Sequence, residues 1–161
     1  GVYSASLQSM IVGFKRGRTE LDKVLGFLAR SALEGSEFAG RIELFVPVPL
    51  HWTRRLWRGY NQSRVLIRRL LVSRARVSTE LVRMRRTKMQ PMMVSEAKRR
   101  ANVAGAFAVR RGHAFSGKAI CLVDDIKTTG ATLNECARVL KEAGAARVYA
   151  LVLAVAGRNI S

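Results

Sequence analysis

Cysteine is scarce in this chain and poorly placed for metal work. Cys121 lies in an apolar run and Cys136 in a helical one, with no CxxC pair and no His/Cys cluster. A structural zinc site therefore has no ligand set, and two buried, inert thiols in a reducing cytosol are expected. The two histidines, His51 and His113, are too isolated for a catalytic pair, and His113 reads as a surface residue in a turn. No apolar run approaches the roughly 18 residues of a membrane span. The opening GVYSASLQSMIVGFKRGRTE lacks the cationic and apolar regions of a secretory signal. A cytoplasmic protein without a membrane span is expected. The chain begins on Gly, as a fragment would.

Acidic residues are few: 11 Asp and Glu stand against 29 Lys and Arg, a net charge of +18. The imbalance is local. Residues 1–43 carry six basic and five acidic side chains, and residues 124–161 carry five and four. Residues 44–123 carry eighteen basic side chains against only Glu80 and Glu96, a net of +16. Such a field favours anions, whether nucleic acid, a membrane surface or a highly phosphorylated small molecule.

With 161 residues, 48% of them hydrophobic and 25% charged, the chain suits one domain that buries about two-thirds of its unfolded surface. Ser4 suits the cap of a first helix with Leu7, Met10, Ile11 and Phe14 on one face. Thr19 suits the cap of a second, with Leu21, Val24, Leu25, Leu28 and Leu33 inward. ELFVPVP reads as a buried strand that stops at its prolines, since neither Pro47 nor Pro49 can donate to a ladder. A helix follows from about Tyr60 to Ser73, then a strand in STELVRMR and a loop in RTKMQPMMV. Ser95 caps a short helix, GAFAVRR is a third strand, and residues 112–117 form a turn. KAICLVDD is a strand apolar for five residues, as a strand covered on both faces requires. A helix from about Ala131 to Ala143 ends at Gly144, and RVYALVLAVA is the last strand. The expectation is an α/β fold: a mostly parallel central sheet flanked by helices in residues 43–161, behind a helical portion in residues 1–42.

The stretch CLVDDIKTTGATL concentrates the chemistry. Ligands of open parallel sheets sit beyond the carboxyl ends of the strands, where Asp124 and Asp125 are expected. The loop Ile126 to Gly130 runs into a helix start, whose free N–H groups and partial positive charge suit an anion. Thr128, Thr129 and Thr132 add hydroxyl donors, while the Gly-x-x-x-x-Gly-Lys spacing of a P-loop is missing. The carboxylates would repel that anion, so they must address another part of the ligand. Acceptors for a vicinal diol beside a phosphate cradle fit a ribose 5-phosphate.

This segment resembles the thirteen-residue phosphoribosyl pyrophosphate motif of type I phosphoribosyltransferases. The resemblance implies that Asp124 and Asp125 bind the ribose hydroxyls and that Thr128, Thr129, Gly130, Ala131 and Thr132 hold the 5-phosphate. Some members carry an acid at the position of Thr128 that helps handle the acceptor base; Thr128 cannot act as that base.

VPVPLHWTRRLWRGYNQS adds Arg54, Arg55 and Arg58 just after a stiff strand exit, cations suited to a pyrophosphate leaving group. It resembles the ComF family, as do FKRG, RTKMQ, RRANVAGAF and GKAICLVDDIKTTGATL, so the likeness covers essentially the whole chain. The likeness implies that Leu50, His51, Arg54 and Arg55 receive pyrophosphate. It also implies a flexible hood over about residues 84–104, with Lys88, Gln90, Arg99, Arg100 and Asn102 in it and Lys88 and Arg100 among the catalytic groups. Mg2+ would be carried mainly by the substrate, with no protein metal site. A nitrogen acceptor, single-stranded DNA or a competence helicase, and a dimer are the partners it brings into view. Many ComF proteins carry an N-terminal zinc ribbon, which has no counterpart here; either this member lacks it or the chain was cut. Trp52 and Trp57, set among arginines, suit stacking on bases or packing of their loop on the sheet. Met84, Met89, Met92 and Met93 suit lid packing.

Three functions fit these features: a phosphoribosyl transfer enzyme, a non-catalytic phosphoribosyl pyrophosphate-binding scaffold in DNA uptake, and a single-stranded-DNA-binding module using the basic middle segment.

Overall fold

A computed structural model describes residues 5–50, 61–70, 75–85, 87 and 95–155. The helices among them are α1 (Ala5–Lys15), α2 (Asp22–Glu34), α3 (Gln62–Leu70), α4 (Glu96–Val103) and α5 (Ala131–Glu142). The strands are β1 (Leu44–Pro47), β2 (Arg76–Val77), β3 (Leu81–Arg83), β4 (Phe107–Val109), β5 (Ala119–Lys127) and β6 (Arg147–Val155). Four strands form a parallel sheet in the order β2-β1-β5-β6, and β3 pairs antiparallel with β4 in a separate two-stranded sheet. The expected α/β architecture, a mostly parallel sheet flanked by helices, is present.

Its centre is where the apolar run predicts. Ile120, Cys121, Leu122 and Val123 of β5 are each at most 1% exposed. Successive residues of a strand face opposite sides, and two cores result. Phe45, Cys121 and Val123 pack with Leu7, Ile11 and Phe14 of α1, Leu25 and Ala29 of α2, and Leu66 and Ile67 of α3. Leu44, Val46, Ile120 and Leu122 pack with Leu133, Cys136 and Leu140 of α5 and with Leu81 and Phe107 of the β3–β4 pair. Pro47 ends β1 as expected, and the Val48 N–H beyond it still donates to Val123 O at 2.9 Å. That bond fixes the exit of β1 beside the carboxyl end of β5.

The structure corrects several local expectations. Thr19 does not cap α2: Thr19–Leu21 form a 3-10 turn, and the cap position is Leu21, whose side chain has no acceptor to offer. Asp22 provides the first-turn negative charge and pairs with Arg69 of α3 at 2.7 Å. The inward stripe of α2 is Leu25, Gly26, Ala29 and Leu33, whereas Val24 and Leu28 are exposed. The cause is Gly26: a Cβ there would lie 2.5 Å from Arg69 Cβ, so α2 and α3 meet across a glycine that hydrophobic periodicity discounts. STELVRMR holds the expected strand in shorter form, β3, and the edge strand β2 lies just before it. The Ser78 hydroxyl donates to Glu80 Oε2 at 2.8 Å and accepts the Glu80 N–H at 3.3 Å, a local turn that separates the parallel edge strand β2 from β3. His113 is half-buried rather than surface, its ring stacked on Phe115 with centroids 5.1 Å apart. Ser4, Trp52, Trp57, Arg58, Tyr60, Ser73, Met89, Met92 and Met93 lie outside the described residues, and Met84 is 68% exposed.

Candidate functional site

Strand β5 runs two residues past the acid pair. Asp124, Ile126 and Lys127 are registered against Val152, Ala154 and Val155 of β6, so the connecting loop begins at Thr128, not Ile126. The extension holds Asp124 and Asp125 on ladder-bonded backbone. The Asp125 N–H donates to Asp124 Oδ1 at 2.9 Å, which orients that carboxylate from within the strand. Asp124 is half-buried and Asp125 is 9% exposed.

Gly130 turns the chain into α5 with φ +77°, a left-handed conformation. A Cβ there would sit 3.2 Å from Lys127 Cε, so both backbone and space call for glycine. The Asn134 N–H donates to Gly130 O at 2.8 Å, and the Ala131 N–H donates to Thr129 Oγ1 at 3.4 Å. A cavity of about 40 Å³ opens at this helix start, lined by Asp124, Ile126, Lys127, Thr128, Gly130, Ala131, Thr132 and Leu133. The structure thus brings Asp124, Thr128, Gly130, Ala131 and Thr132 around one space, sized for a small anionic group rather than a whole substrate. Thr129, whose hydroxyl faces the Ala131 N–H, and Asp125 are outside its lining. Lys127, which the sequence did not single out, lines it.

Strand β1 delivers its exit to the same edge of the sheet. Asn61 donates from Nδ2 to Val48 O at 3.3 Å and accepts the Ser63 N–H on Oδ1 at 3.0 Å. It therefore caps α3 and ties that helix to the end of β1. Leu50 is half-buried here; His51, Arg54 and Arg55 lie outside the described residues. A cavity of about 320 Å³, not expected from the sequence, opens between this exit and the β3–β4 pair. Its wall includes Leu50, Asn61, Arg64, Thr79, Arg83 and Arg110. A further cavity, about 660 Å³, is at the opposite, amino edge of the sheet, beside Glu43, Arg76 and Lys118.

Of the expected hood residues, Lys88 and Gln90 lie outside the described set. Arg99 and Asn102 are half-buried on α4 and Arg100 is exposed. Ser95 caps α4, as expected, its hydroxyl accepting the Lys98 N–H at 3.2 Å. Arg85 Nη2 donates to Asn102 O at 3.2 Å and Ala104 O at 2.8 Å, clamping the two arms of this segment. Arg83 lies over the Phe107 ring at 5.1 Å and donates to the Thr87 hydroxyl. Glu135 of α5 accepts the Gly105 N–H at 2.8 Å. Arg138 beside Glu135 holds its carboxyl below the usual range; burial opposes this shift and the Gly105 N–H adds to it.

Both cysteines are buried and free. Burial pushes the Cys121 thiol up to about 12. Burial, followed by the charge of Asp124, raises Cys136 as well. Neither is poised as a nucleophile. Among the described residues no group of three His, Cys, Asp or Glu side chains could hold a metal, and no helix is long and apolar enough to cross a membrane.

Residues 56–160 match the family described as phosphoribosyl transferase domain. The chain belongs to the phosphoribosyltransferase family. Within that family it is of the ComF type. It is 30% identical to Competence protein F of Haemophilus influenzae over 161 aligned residues, covering 96% of this chain and 70% of that protein. It is 34% identical to the DNA utilization protein YhgH of Salmonella typhi, covering 81% of this chain and 60% of the relative. The chain also shares its fold with the glutamine phosphoribosylpyrophosphate amidotransferase of B. subtilis (TM-score 0.54, 19% identity, 83% of this chain and 26% of that one). A purine-biosynthesis regulatory enzyme gives a TM-score of 0.55 at 20% identity, over 83% of this chain and 26% of its own.

Proposed function

We propose that this phosphoribosyltransferase-type chain binds Mg2+-phosphoribosyl pyrophosphate and transfers the phosphoribosyl group to a nitrogen acceptor, releasing pyrophosphate. One observation carries the reading: Asp124 and the residues at the start of α5 line the same small cavity. The 5-phosphate stands against residues 128–132, and the ribose hydroxyls lie against Asp124, with Asp125 behind it. Each charge-assisted hydrogen bond in such a cradle contributes about 1.5–3 kcal/mol.

Held at both ends, the ribose keeps C1 in one place while its bond to the pyrophosphate oxygen breaks. The electron pair leaves with pyrophosphate, the acceptor nitrogen bonds to C1, and the acceptor loses a proton. The negative field of the acid pair favours the positive charge that develops on the ring. Leu50, His51, Arg54 and Arg55 are assigned to the leaving group, and Lys88 and Arg100 to the hood above it. Mg2+ neutralises the pyrophosphate when bound. The ion would be carried mainly by substrate oxygens, as this hard cation commonly is.

Calorimetry with the Mg2+ complex of phosphoribosyl pyrophosphate tests the reading. Binding that disappears in Asp124→Asn with the fold intact supports it; absence of heat at millimolar ligand in folded wild type ends it.

Thr128 favours a second reading. It offers no carboxylate to an acceptor base, which suits a scaffold that binds phosphoribosyl pyrophosphate in DNA uptake without turnover. The names of the relatives, competence and DNA utilization, support that setting. A pyrophosphate-release screen over amines and bases separates the two, since release with any acceptor favours the enzyme.

A further inference from the structure

Phe27, Val24 and Leu28 turn outward on α2. They are 69%, 48% and 41% exposed, and with Ser31 they follow the i, i+3, i+4, i+7 spacing of a second helical stripe. The first stripe, Leu25, Ala29 and Leu33, is buried in the layer that α1 and α3 share. Seven large hydrophobic side chains are exposed among the described residues, and three of them lie on this one outer stripe. Apolar residues scattered singly over a surface need no explanation, whereas a cluster marks a place of contact.

The charge pattern decides what the stripe meets. Two copies of a chain carrying +18 repel one another over most of their surface. Residues 1–43 carry only +1, and within them Arg18 pairs with Glu20 at 2.9 Å and Arg30 with Glu34 at 2.8 Å. Asp22 neutralises Arg69 of α3 at 2.7 Å. The stripe therefore lies where like copies approach at least electrostatic cost, while an acidic partner is drawn instead to the basic middle segment. Along α2, Lys23 stands near the amino end and Glu34 at the carboxyl end, both exposed. Antiparallel pairing of two such helices brings each Lys23 toward the partner's Glu34. The same register sets Phe27 against the partner's Leu28 and Val24 against the partner's Ser31, and so is self-complementary, as a two-fold contact requires.

We infer that the outer face of α2 is a self-association surface, on which two copies of this chain pair as an antiparallel two-fold dimer centred on Phe27 and Leu28. α2 lies on the α1–α3 face of the sheet and α5 on the other, so pairing leaves the Asp124 cavity of each copy open. A helix of 13 residues is about 20 Å long. One face of it falls well short of the roughly 800 Å² per partner of a standard interface. The dimer is accordingly weak and fills only at high protein concentration. It does not rest on the functional reading, since neither phosphate nor ribose takes part.

Sedimentation velocity on the full chain, from micromolar to near-millimolar protein, tests the pairing. Wild type passes from monomer to dimer as concentration rises, and melts higher as it does so. Phe27→Lys changes an exposed side chain, keeps the melting temperature of dilute wild type, and dimerises about tenfold or more weakly. Lys23→Glu weakens the dimer, and adding Glu34→Lys restores it. Between about 50 and 500 mM salt the wild-type dimer tightens, because screening removes the repulsion between the two basic chains while the apolar contact persists. Three results overturn the assignment: a monomer at every concentration, undiminished association in Phe27→Lys, or association that dissolves in salt. The last is the mark of copies bridged by a polyanion through their basic segments. If Glu34→Lys fails to restore what Lys23→Glu loses, the antiparallel pairing is rejected.

Discussion

The Glu135 carboxylate accepts the Gly105 N–H at 2.8 Å across thirty residues of chain. Arg138 grips the same Oε1 at 2.7 Å and the other oxygen at 3.0 Å. Because α5 begins at the cavity lined by Asp124 and Thr128, one helix carries both that cavity and the anchor for the segment returning from α4.

Glu135→Ala should therefore cost about 1–2 kcal/mol, through an unpaired Gly105 N–H and a lost ion pair. Glu135→Gln should recover much of it, since its amide oxygen still accepts from Gly105. Arg138 holds the folded-state pKa below the ordinary 4.5. The stabilisation is thus present above that value and fades as pH falls below it. Urea melts at pH 7 and pH 3.5 check this: the gap between wild type and Glu135→Gln narrows at the lower pH.

Gly130→Ala places a Cβ 3.2 Å from Lys127 Cε on backbone at φ +77°. A left-handed residue with a Cβ costs about 1–2 kcal/mol, and here the added methyl also narrows the cavity. Loss of phosphoribosyl pyrophosphate binding with a modest drop in melting temperature is the expected pair of readouts.

Asp124 and Asp125 should separate on mutation. Asp124→Asn leaves stability near wild type and removes ligand binding. Asp125→Ala, at a side chain only 9% exposed, should cost about 1–3 kcal/mol, as removal of a buried polar side chain typically does. Equal destabilisation by both would contradict the division drawn between them.

Gly26→Ala sets a Cβ 2.5 Å from Arg69 Cβ and 2.6 Å from its Cγ. Forcing α2 from α3 costs about 1–3 kcal/mol, partly offset by about 1 kcal/mol of helix propensity. Gly40→Ala, with nothing within 4 Å of the new atom, is the control and should change the denaturation midpoint little.

The thiols give a further check. With Cys121 pushed up to about 12 by burial, neither cysteine should react with a disulfide reagent at pH 8 until the chain unfolds. Above the ordinary thiol value of 9.0 the unfolded chain releases these protons and the native one does not, so stability falls as pH rises. Labelling in buffer and in guanidinium reads the first expectation, and melts at pH 8 and 10 the second.

The parts of the site that were legible are contiguous in sequence. Asp124, Thr128, Gly130 and Thr132 announce themselves because a strand end, a tight turn and a helix start need specific residue types at fixed spacing. Features assembled across the chain were not legible. The Gly26–Arg69 contact joins two helices, and hydrophobic periodicity assigns no inward role to a glycine, so the stripe of α2 was misplaced. The cavity beside β1 draws on α3, β3 and the end of β4, and no local pattern in QSRVLIRRL distinguishes Arg64, which borders it, from Arg68, although both are exposed. The short edge strand escaped notice because two residues carry no periodicity; a side-chain turn at Ser78, not an apolar pattern, sets its boundary.

Leu44 is paired with Ile120, seventy-six residues on, and β1 touches β2 through only two registered positions. During synthesis the apolar segment Leu44–Pro47 leaves the ribosome long before its main partner has been made. Its burial waits on a distant segment, which slows the search and lengthens exposure to wrong contacts. Expression at reduced temperature, or with chaperones that shield extended apolar segments, should raise the yield of this chain more than stabilising its helices would.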